Sequence, residues 1–474
     1  MPTEQISDAR ALQDSIIAQA QRELRALLAL PSDPELANEF PFGASEQDPV
    51  LSKTRTEQER GYQARYALKV PSIEDAPERY LKFRLVRDMP KGNSAPPIPD
   101  ELFLRAYGEN LQEFVKVLTA AGPDARGLLR PVRETLVERA IARQLAQECE
   151  GSVASPALET PISEAIGYLK QLALSTYEGG QITMNVVVDP RLCGEWGIAL
   201  SEYGDRNRHA WGPTLGTSSE TALVVGSRGL VHKVVNTSGR PDDLELESER
   251  YPYFLENLVA YSKTVSGIGL ASTVQGDVVV IAQGHVRYAF RRGQWRSFPE
   301  TFGKAGWIRG GKVLSGVKKA VRETLLDASF AGHGGSIAIV GYKKLDELAD
   351  DASEHAALPA ARQWSRAAPA ETSDEKRARL VLEGMDTLSY LDLGRAQRLE
   401  LLSMDGITVI DFRGKLLASG QIVTVKDANS GGRTSAVKRL AEYGAAFKVS
   451  QDGQVDLWGS EEQGLPVVRR VSFG

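Results

Sequence analysis

The apolar runs of this chain are short. Val278-Val279-Val280-Ile281-Ala282 is representative, and runs of that size have the length of a β-strand and not of a membrane-crossing helix. Between these runs the apolar residues fall at helical spacing. Leu12, Ile16, Ala20, Leu24 and Leu27-Leu28 recur along one face from Ser7 to about Leu30, where Pro31-Ser32-Asp33-Pro34 stops the pattern. Strands and amphipathic helices therefore alternate, and the expected class is α/β, in a mixed multi-domain chain.

The pattern divides the 474 residues into three expected domains: 1–150, 151–310 and 311–474. In the first, Tyr62 to Val70 and Leu81 to Leu85 alternate as half-buried strands. Pro96-Pro97-Ile98-Pro99-Asp100 then breaks the chain and offers Asp100 as a helix cap. Leu104, Tyr107, Leu111, Phe114 and Leu118 mark the helix that follows, and a second runs from Pro131 to about Cys149. The small and polar stretch Gly151 to Pro161 is the expected boundary. The middle region reads as a helix from Ile162 to Leu174, followed by strands at Ile182–Val188, Thr221–Val225, Leu230–Val235 and Val278–Ala282. A strand-turn-strand pattern at Gly284–Phe298 follows, with Trp295 at a buried sheet edge. Its charged turn Gly239-Arg240-Pro241-Asp242-Asp243 and its Arg287, Arg291 and Arg292 near Tyr288 read first as solvated surface, and second as a contact for an acidic partner.

From Gly311 onward, Val313, Val317, Val321, Leu325 and Ala328 form a helical stripe, and Gly335-Ser336-Ile337-Ala338-Ile339-Val340 reads as a buried strand. A charged, alanine-rich excursion spans about Leu348 to Arg379 and reads as a solvated helix or linker. Strands are expected at Ile407–Asp411 and Leu416–Ser419, about a tight turn at Arg413-Gly414.

Composition narrows the function classes. With 57 Lys and Arg against 62 Asp and Glu, the net charge of -5 does not favour a polyanion, so nucleic acid is not the expected partner. Met1-Pro2-Thr3-Glu4-Gln5 lacks a basic end followed by an apolar stretch, so no membrane association and a cytoplasmic location are expected. Cys149 and Cys193 make no disulfide framework. The five histidines, His209, His232, His285, His333 and His355, have no zinc-ligand spacing. No GxGxxG follows a strand, so flavin and nicotinamide have no fingerprint here, and there is no Walker loop or GxSxG elbow. Gly332-His333-Gly334-Gly335 precedes a strand and reads as a helix stop.

The segment with chemical content lies between Met404 and Trp458. Asp405 and Gly406 stand at the entry of a strand, and Asn429-Ser430-Gly431-Gly432-Arg433-Thr434-Ser435-Ala436 opens a helix. Glycines at a helix start let backbone N–H groups approach a phosphate. Arg433 adds a bidentate donor, and Ser430, Thr434 and Ser435 add hydroxyls. A plain helix-opening turn would have the same residues.

In order and approximate spacing, the run from about Gly311 to Gly459 resembles a diadenylate cyclase (DAC) domain. The matching pieces are Gly335 to Val340, then Asp405-Gly406-Ile407, then Gly431-Gly432-Arg433-Thr434-Ser435, then Val449-Ser450-Gln451-Asp452-Gly453. The resemblance implies that the C-terminal domain is α/β, a mixed sheet flanked by helices, with a nucleotide site at Asp405, Gly406, Ser430, Gly431, Gly432, Arg433, Thr434 and Ser435. For an active cyclase it also implies Asp405 as a catalytic residue, and Asp405 with Asp452 holding Mg or Mn. Thr434 stands where the family has His, Ser435 where it has a second Arg, and Gln451 where it has an acid. Each lost donor costs about 10² to 10³ in phosphoryl-transfer rate. The pattern therefore resembles the degenerate DAC-like sensor branch, which implies a nucleotide-binding sensor in prokaryotic signalling or defence that recognises ATP or a nucleotide messenger. Two alternatives stay open: a diadenylate cyclase that joins two ATP into cyclic di-AMP as a homo-oligomer, and a non-catalytic structural or interaction protein.

Overall fold

The computed structural model describes residues 2–28, 34–37, 51–58, 61–70, 79–88, 99–121, 129–149, 158–174, 176–177, 180–200, 220–239, 244–298, 313–341, 389–421, 432–441, 443–460 and 466–471. The Leu348–Arg379 excursion, the 240–243 part of the charged turn and the 151–157 part of the expected boundary lie outside them. The chain is α/β throughout and forms two compact units: Met1–Leu246 with Asn257–Lys304, and Glu247–Glu256 with Ala305–Phe473. Cys149 and Leu158, the described residues on either side of that stretch, both fall inside the first unit.

That unit carries helices α1 (Pro2–Leu27), α2 (Pro99–Ala121), α3 (Leu129–Cys149), α4 (Glu159–Ala173) and most of α5 (Glu256–Thr264). A four-stranded antiparallel sheet is built from β1 (Glu35–Ala37), β2 (Leu51–Gln58), β3 (Gly61–Val70) and β4 (Arg79–Asp88), in the order β1-β4-β3-β2. After a small pair, β5 (Thr176–Tyr177) and β6 (Gly180–Gln181), comes an eight-stranded sheet. Its strands are β7 (Met184–Val188), β8 (Ile198–Ala199), β9 (Thr221–Val225), β10 (Leu230–Asn236), β11 (Ile268–Ser272), β12 (Val278–Ala282), β13 (His285–Arg291) and β14 (Gln294–Ser297). Their order is β14-β13-β12-β11-β7-β9-β10-β8, parallel only at β7 and β9.

One hydrophobic core joins Leu24 of α1, Tyr107 of α2, Ile141 of α3 and Leu169 of α4 to Val186, Leu223, Leu270 and Val280 of the large sheet. Described residues from both sides of the expected boundary, Leu145 and Ile162 among them, share this core. On the other face of the sheet, Ser262 of α5 packs against Gly269. With both faces covered, β12 is buried at every residue, which is why its sequence is a continuous apolar run and does not alternate. Arg287 and Arg291 are buried as well, against the expectation of a solvated surface, because each holds a carboxylate at 2.8 Å: Glu148 and Asp277 respectively.

The second unit is a six-stranded mixed sheet flanked by helices. In chain order it comprises α6 (Ser315–Ala331), β15 (Gly335–Val340), α7 (Arg395–Ser403), β16 (Ile407–Asp411), β17 (Leu416–Gln421), α8 (Gly432–Ala441), β18 (Gly444–Val449), β19 (Val455–Ser460) and β20 (Pro466–Val471). Strand order is β17-β16-β15-β18-β19-β20, with β15 parallel to β16 and antiparallel to β18. Ala436, Val437 and Leu440 of α8 pack on Ala338, Val409, Ala446 and Trp458 from one face of the sheet. Thr408, the neighbour of Val409 in β16, donates its hydroxyl to the Leu401 carbonyl of α7. Gly335 is required by this packing, since a Cβ there would stand 2.2 Å from the Leu402 carbonyl oxygen.

A buried polar network ties α6 to α7. Glu323 and Asp327, one turn apart on α6, pair with Arg398 at 2.6 Å and with Arg395. Arg395 also donates to the Ser248 and Tyr251 carbonyls, while Asp327 accepts the Tyr253 N–H at 2.8 Å. The segment before α5 is thereby held in the second unit. Burial pushes the Asp327 carboxyl up to about 6, outweighing the pull of Arg395 and of the Tyr253 N–H. With its folded pKa above the ordinary 3.8, this group favours the folded state most when protonated. That contribution is complete below 3.8 and is lost as pH rises through about 6. Removing the guanidinium should therefore matter most when Asp327 is ionised. Arg395→Ala is expected to destabilise the second unit by about 3–5 kcal/mol at pH 8 and by less at pH 5, measured by urea unfolding. Exchange of the Tyr253 amide should accelerate in parallel, and a pH-independent loss below about 1 kcal/mol would contradict the network's role.

Candidate functional site

The described residues of the motifs singled out in the sequence lie at one end of the six-stranded sheet. Two helix-turn-strand arms enter that end side by side. Helix α6 stops at Gly332, which adopts φ 68° and returns its N–H to the Ala328 carbonyl, and the chain passes through Gly334 into β15. Helix α7 stops at Ser403, and the chain passes through Met404, Asp405 and Gly406 into β16. Gly406 has φ 101°, a conformation that excludes ordinary side chains, so the turn itself requires glycine after Asp405. Ser336 donates to the Gly406 carbonyl at 2.9 Å and locks the two turns together.

The antiparallel strand β18 finishes where β15 begins, Val449 opposite Gly335. The β18–β19 turn thus brings Gln451 to the same place. Its geometry is set by Gly453, at φ 77°, with the Gly453 N–H on the Ser450 carbonyl at 2.8 Å. Helix α8 starts at Gly432 and presents Arg433 from its first turn.

These pieces converge on Arg433. Its Nη2 donates to Asp405 Oδ1 at 3.3 Å. A Cβ on Gly334 would lie 3.2 Å from Arg433 Nη1 and 3.2 Å from Gln451 Cγ, so the missing side chain is what leaves the guanidinium room. Arg433 Nε is buried and has no hydrogen-bond partner among the described residues. The ion pair is partly exposed at Arg433 and largely exposed at Asp405, 32% and 70%, so it is weak and exchangeable. A guanidinium has five donors, and a single long contact leaves most of its fork for another anion.

Of the other expected residues, Thr434 accepts Lys448 Nζ at 2.9 Å, and Ser435 is buried. Lys448 comes from β18 and brings a second cation to the first turn of α8. Ser430 and Gly431 lie outside the described residues, and Gly432 is the first residue of the helix. Asp452 is exposed in the β18–β19 turn, where Oδ1 accepts the Gln454 N–H at 3.1 Å. Among the described residues no three His, Cys, Asp or Glu side chains group to hold a metal ion. The donors gathered around Arg433 are thus a guanidinium, an ammonium and an amide, with one carboxylate. That set suits phosphate oxygens better than it suits a protein-held divalent ion, which wants several oxygen ligands.

Sequence reasoning placed Asp405, Arg433 and Thr434 together, but it missed Gly334 and Lys448. Gly334 was absorbed into the helix stop beside it. Lys448 carried no signal in the sequence, and only the pairing of β18 with β15 brings it beside α8. Among the described residues no helix is long and apolar enough to cross a membrane. No family model, no curated protein and no solved structure matches this chain, so the reading of the site rests on its own residues.

Proposed function

We propose that the second unit is a nucleotide-binding sensor domain that holds its ligand's phosphates at the start of α8 and does not turn it over. The observation that carries this is the convergence of Asp405, Gly334 and Gln451 on Arg433, with Lys448 fixed on the neighbouring Thr434. Arg433 supplies a bidentate contact to one phosphate, and Lys448 supplies a point charge to a phosphate along the first turn. The backbone N–H of Gly432 adds a donor, and the helix dipole adds partial positive charge. Asp405 and Gly406 border the ribose side. The carboxylate gives up its weak contact to Arg433 as phosphate arrives, and is then free to accept a sugar hydroxyl.

The ligand class is ATP or a nucleotide messenger, with Mg or Mn entering as the nucleotide's own counterion. The setting is cytoplasmic signalling or defence in a prokaryote, and a homo-oligomer accommodates this function without being required by it. The substitutions at Thr434, Ser435 and Gln451 are what favour sensing over synthesis of cyclic di-AMP, because joining two nucleotides needs more aligned cations than phosphate binding does.

Thermal unfolding with a panel of nucleotides tests the reading. A ligand at 100 times its Kd is expected to stabilise the protein by about 2.7 kcal/mol, a shift of several degrees. Arg433→Ala should abolish that shift with its own unliganded stability changed by less than about 1 kcal/mol, since the ion pair it removes is a surface one. An unchanged nucleotide affinity in this variant would rule out the assignment.

A second substitution probes the space and not the charge. Gly334→Val should push against Arg433 and Gln451 and weaken nucleotide binding at least tenfold, about 1.4 kcal/mol, while retaining the circular dichroism of the parent. Incubation with ATP and Mn²⁺ should leave the nucleotide intact by liquid chromatography and mass spectrometry. Cyclic di-AMP that disappears in Asp405→Ala would instead make the protein a cyclase.

A further inference from the structure

A cleft of about 710 Å³ lies wholly within the first unit, bordered by α1, α3, the end of α4, the β11–β12 turn and the β13–β14 hairpin. That volume is in the range of small-molecule sites. Its floor belongs to the hydrophobic core: Leu27, Val137, Ala173 and Trp295, with Phe290 beside Trp295 at a ring separation of 5.4 Å and an interplanar angle of 54°. Leu174, just past the last turn of α4 and 89% exposed, carries the apolar lining out to solvent.

The ionised groups of the lining are committed within the protein. Glu138 accepts both Lys170 Nζ and Trp295 Nε1, and Lys170 lies 4.5 Å over the Phe290 ring, so this ion pair is laid against the aromatic pair. At the rim, Arg22 donates to Gln19 at 3.2 Å, Gln19 donates to Glu23, and Glu23 accepts the Tyr107 hydroxyl at 2.6 Å. The rim cation is thereby chained to a carboxylate. Asp277 is held by Arg291 at 2.8 Å. Burial pushes the Asp277 carboxyl up, and the charges of Arg291 and Arg292 pull it back, so Arg292 also answers a carboxylate of the lining.

This arrangement discriminates by charge. An ion entering the cleft must give up hydration, and it finds its counter-charges already paired; to gain one it has to break an internal contact. An uncharged apolar molecule has no such cost and gains in proportion to the apolar area it covers. Two rings set at an angle also favour an aromatic guest, which can meet one face and one edge at once.

We infer that this cleft binds a small uncharged molecule with an aromatic body, seated on Phe290 and Trp295 and flanked by Leu174. The site is independent of the phosphate-binding reading of the second unit, and either could fail alone.

A matched pair of fluorescent probes tests it on the full chain. N-phenyl-1-naphthylamine is uncharged, whereas 8-anilinonaphthalene-1-sulfonate has nearly the same rings and an anionic group. The uncharged probe is expected to bind saturably at one site per chain, at least tenfold more tightly than the sulfonate and with no dependence on salt. Phe290→Ala, with the circular dichroism of the parent, should weaken it at least tenfold. Leu174→Ser changes a side chain that the fold leaves in water, and should weaken the same probe about threefold through lost apolar contact. This second variant decides the matter if Phe290→Ala does not fold. Absence of saturable binding, a sulfonate that binds more tightly than the uncharged probe, or an uncharged-probe affinity unchanged in Leu174→Ser and in folded Phe290→Ala would each overturn the inference.

Discussion

Asp327 carries a carboxylate with no exposure to water, and keeping it satisfied organises the second unit. An isolated charge at that depth would be prohibitive. It is answered by the guanidinium of Arg395 and the N–H of Tyr253, while the remaining donors of Arg395 reach the carbonyls of Ser248 and Tyr251. Glu323 and Arg398 repeat the pairing one turn away, and the ring of Tyr390 lies 5.8 Å from Arg398 with its hydroxyl on Thr324. Apolar residues of similar volume could make the helices as stable, since buried pairs return little net energy. They could not specify where a separate stretch of backbone lies. Directional donors on Arg395 do that, and they hold a segment whose neighbours in sequence belong to the other unit.

The same network fixes the site at a distance. It clamps α6 to α7, and the chain leaving each helix runs directly into the candidate site, at Gly334 from one and Asp405 from the other. Parallel pairing of β15 with β16 then brings the two turns together, and Ser336 closes them. Open α/β sheets usually bind ligands beyond the carboxyl ends of parallel strands. Here the residues gather at the amino ends of β15 and β16. The reversal follows from topology: β18 is antiparallel to β15, so its carboxyl end, the Gln451 turn and the start of α8 all lie on that side.

Much of this was readable before any coordinates. Continuous apolar runs signalled strands at Val278–Ala282 and, as a buried one, at Gly335–Val340, and a strand over Ile407 to Asp411 has the bounds of β16. Local chemistry also placed the helix stop at Gly332. What failed to show depends on contacts between distant residues. Arg287 and Arg291 look like solvated charges until Glu148 and Asp277, remote in sequence, are found beside them. The strand β18, with its Gly444-Ala445-Ala446, has too few large apolar residues to announce itself, because Gly444 must allow the Ile339 carbonyl to approach. Lys448 was hidden for the same reason, since its role depends on which strand lies next to its own.

Net charge is a poor guide to what such a chain recognises. Summed over the sequence, the protein is acidic by five charges, which argues against a polyanion and says nothing about a small anion. What matters locally is whether a charge is already answered. Glu138, Asp277 and Glu323 are ionisable groups that face inward to partners, and they contribute little to the field outside. Arg433, with one long contact to an exposed carboxylate, keeps most of its donors unused among the described residues. A carboxylate that leaves easily, as Asp405 can, also keeps an arginine positioned without neutralising it permanently. That is the arrangement expected of a site that must bind and release an anion and not merely store one.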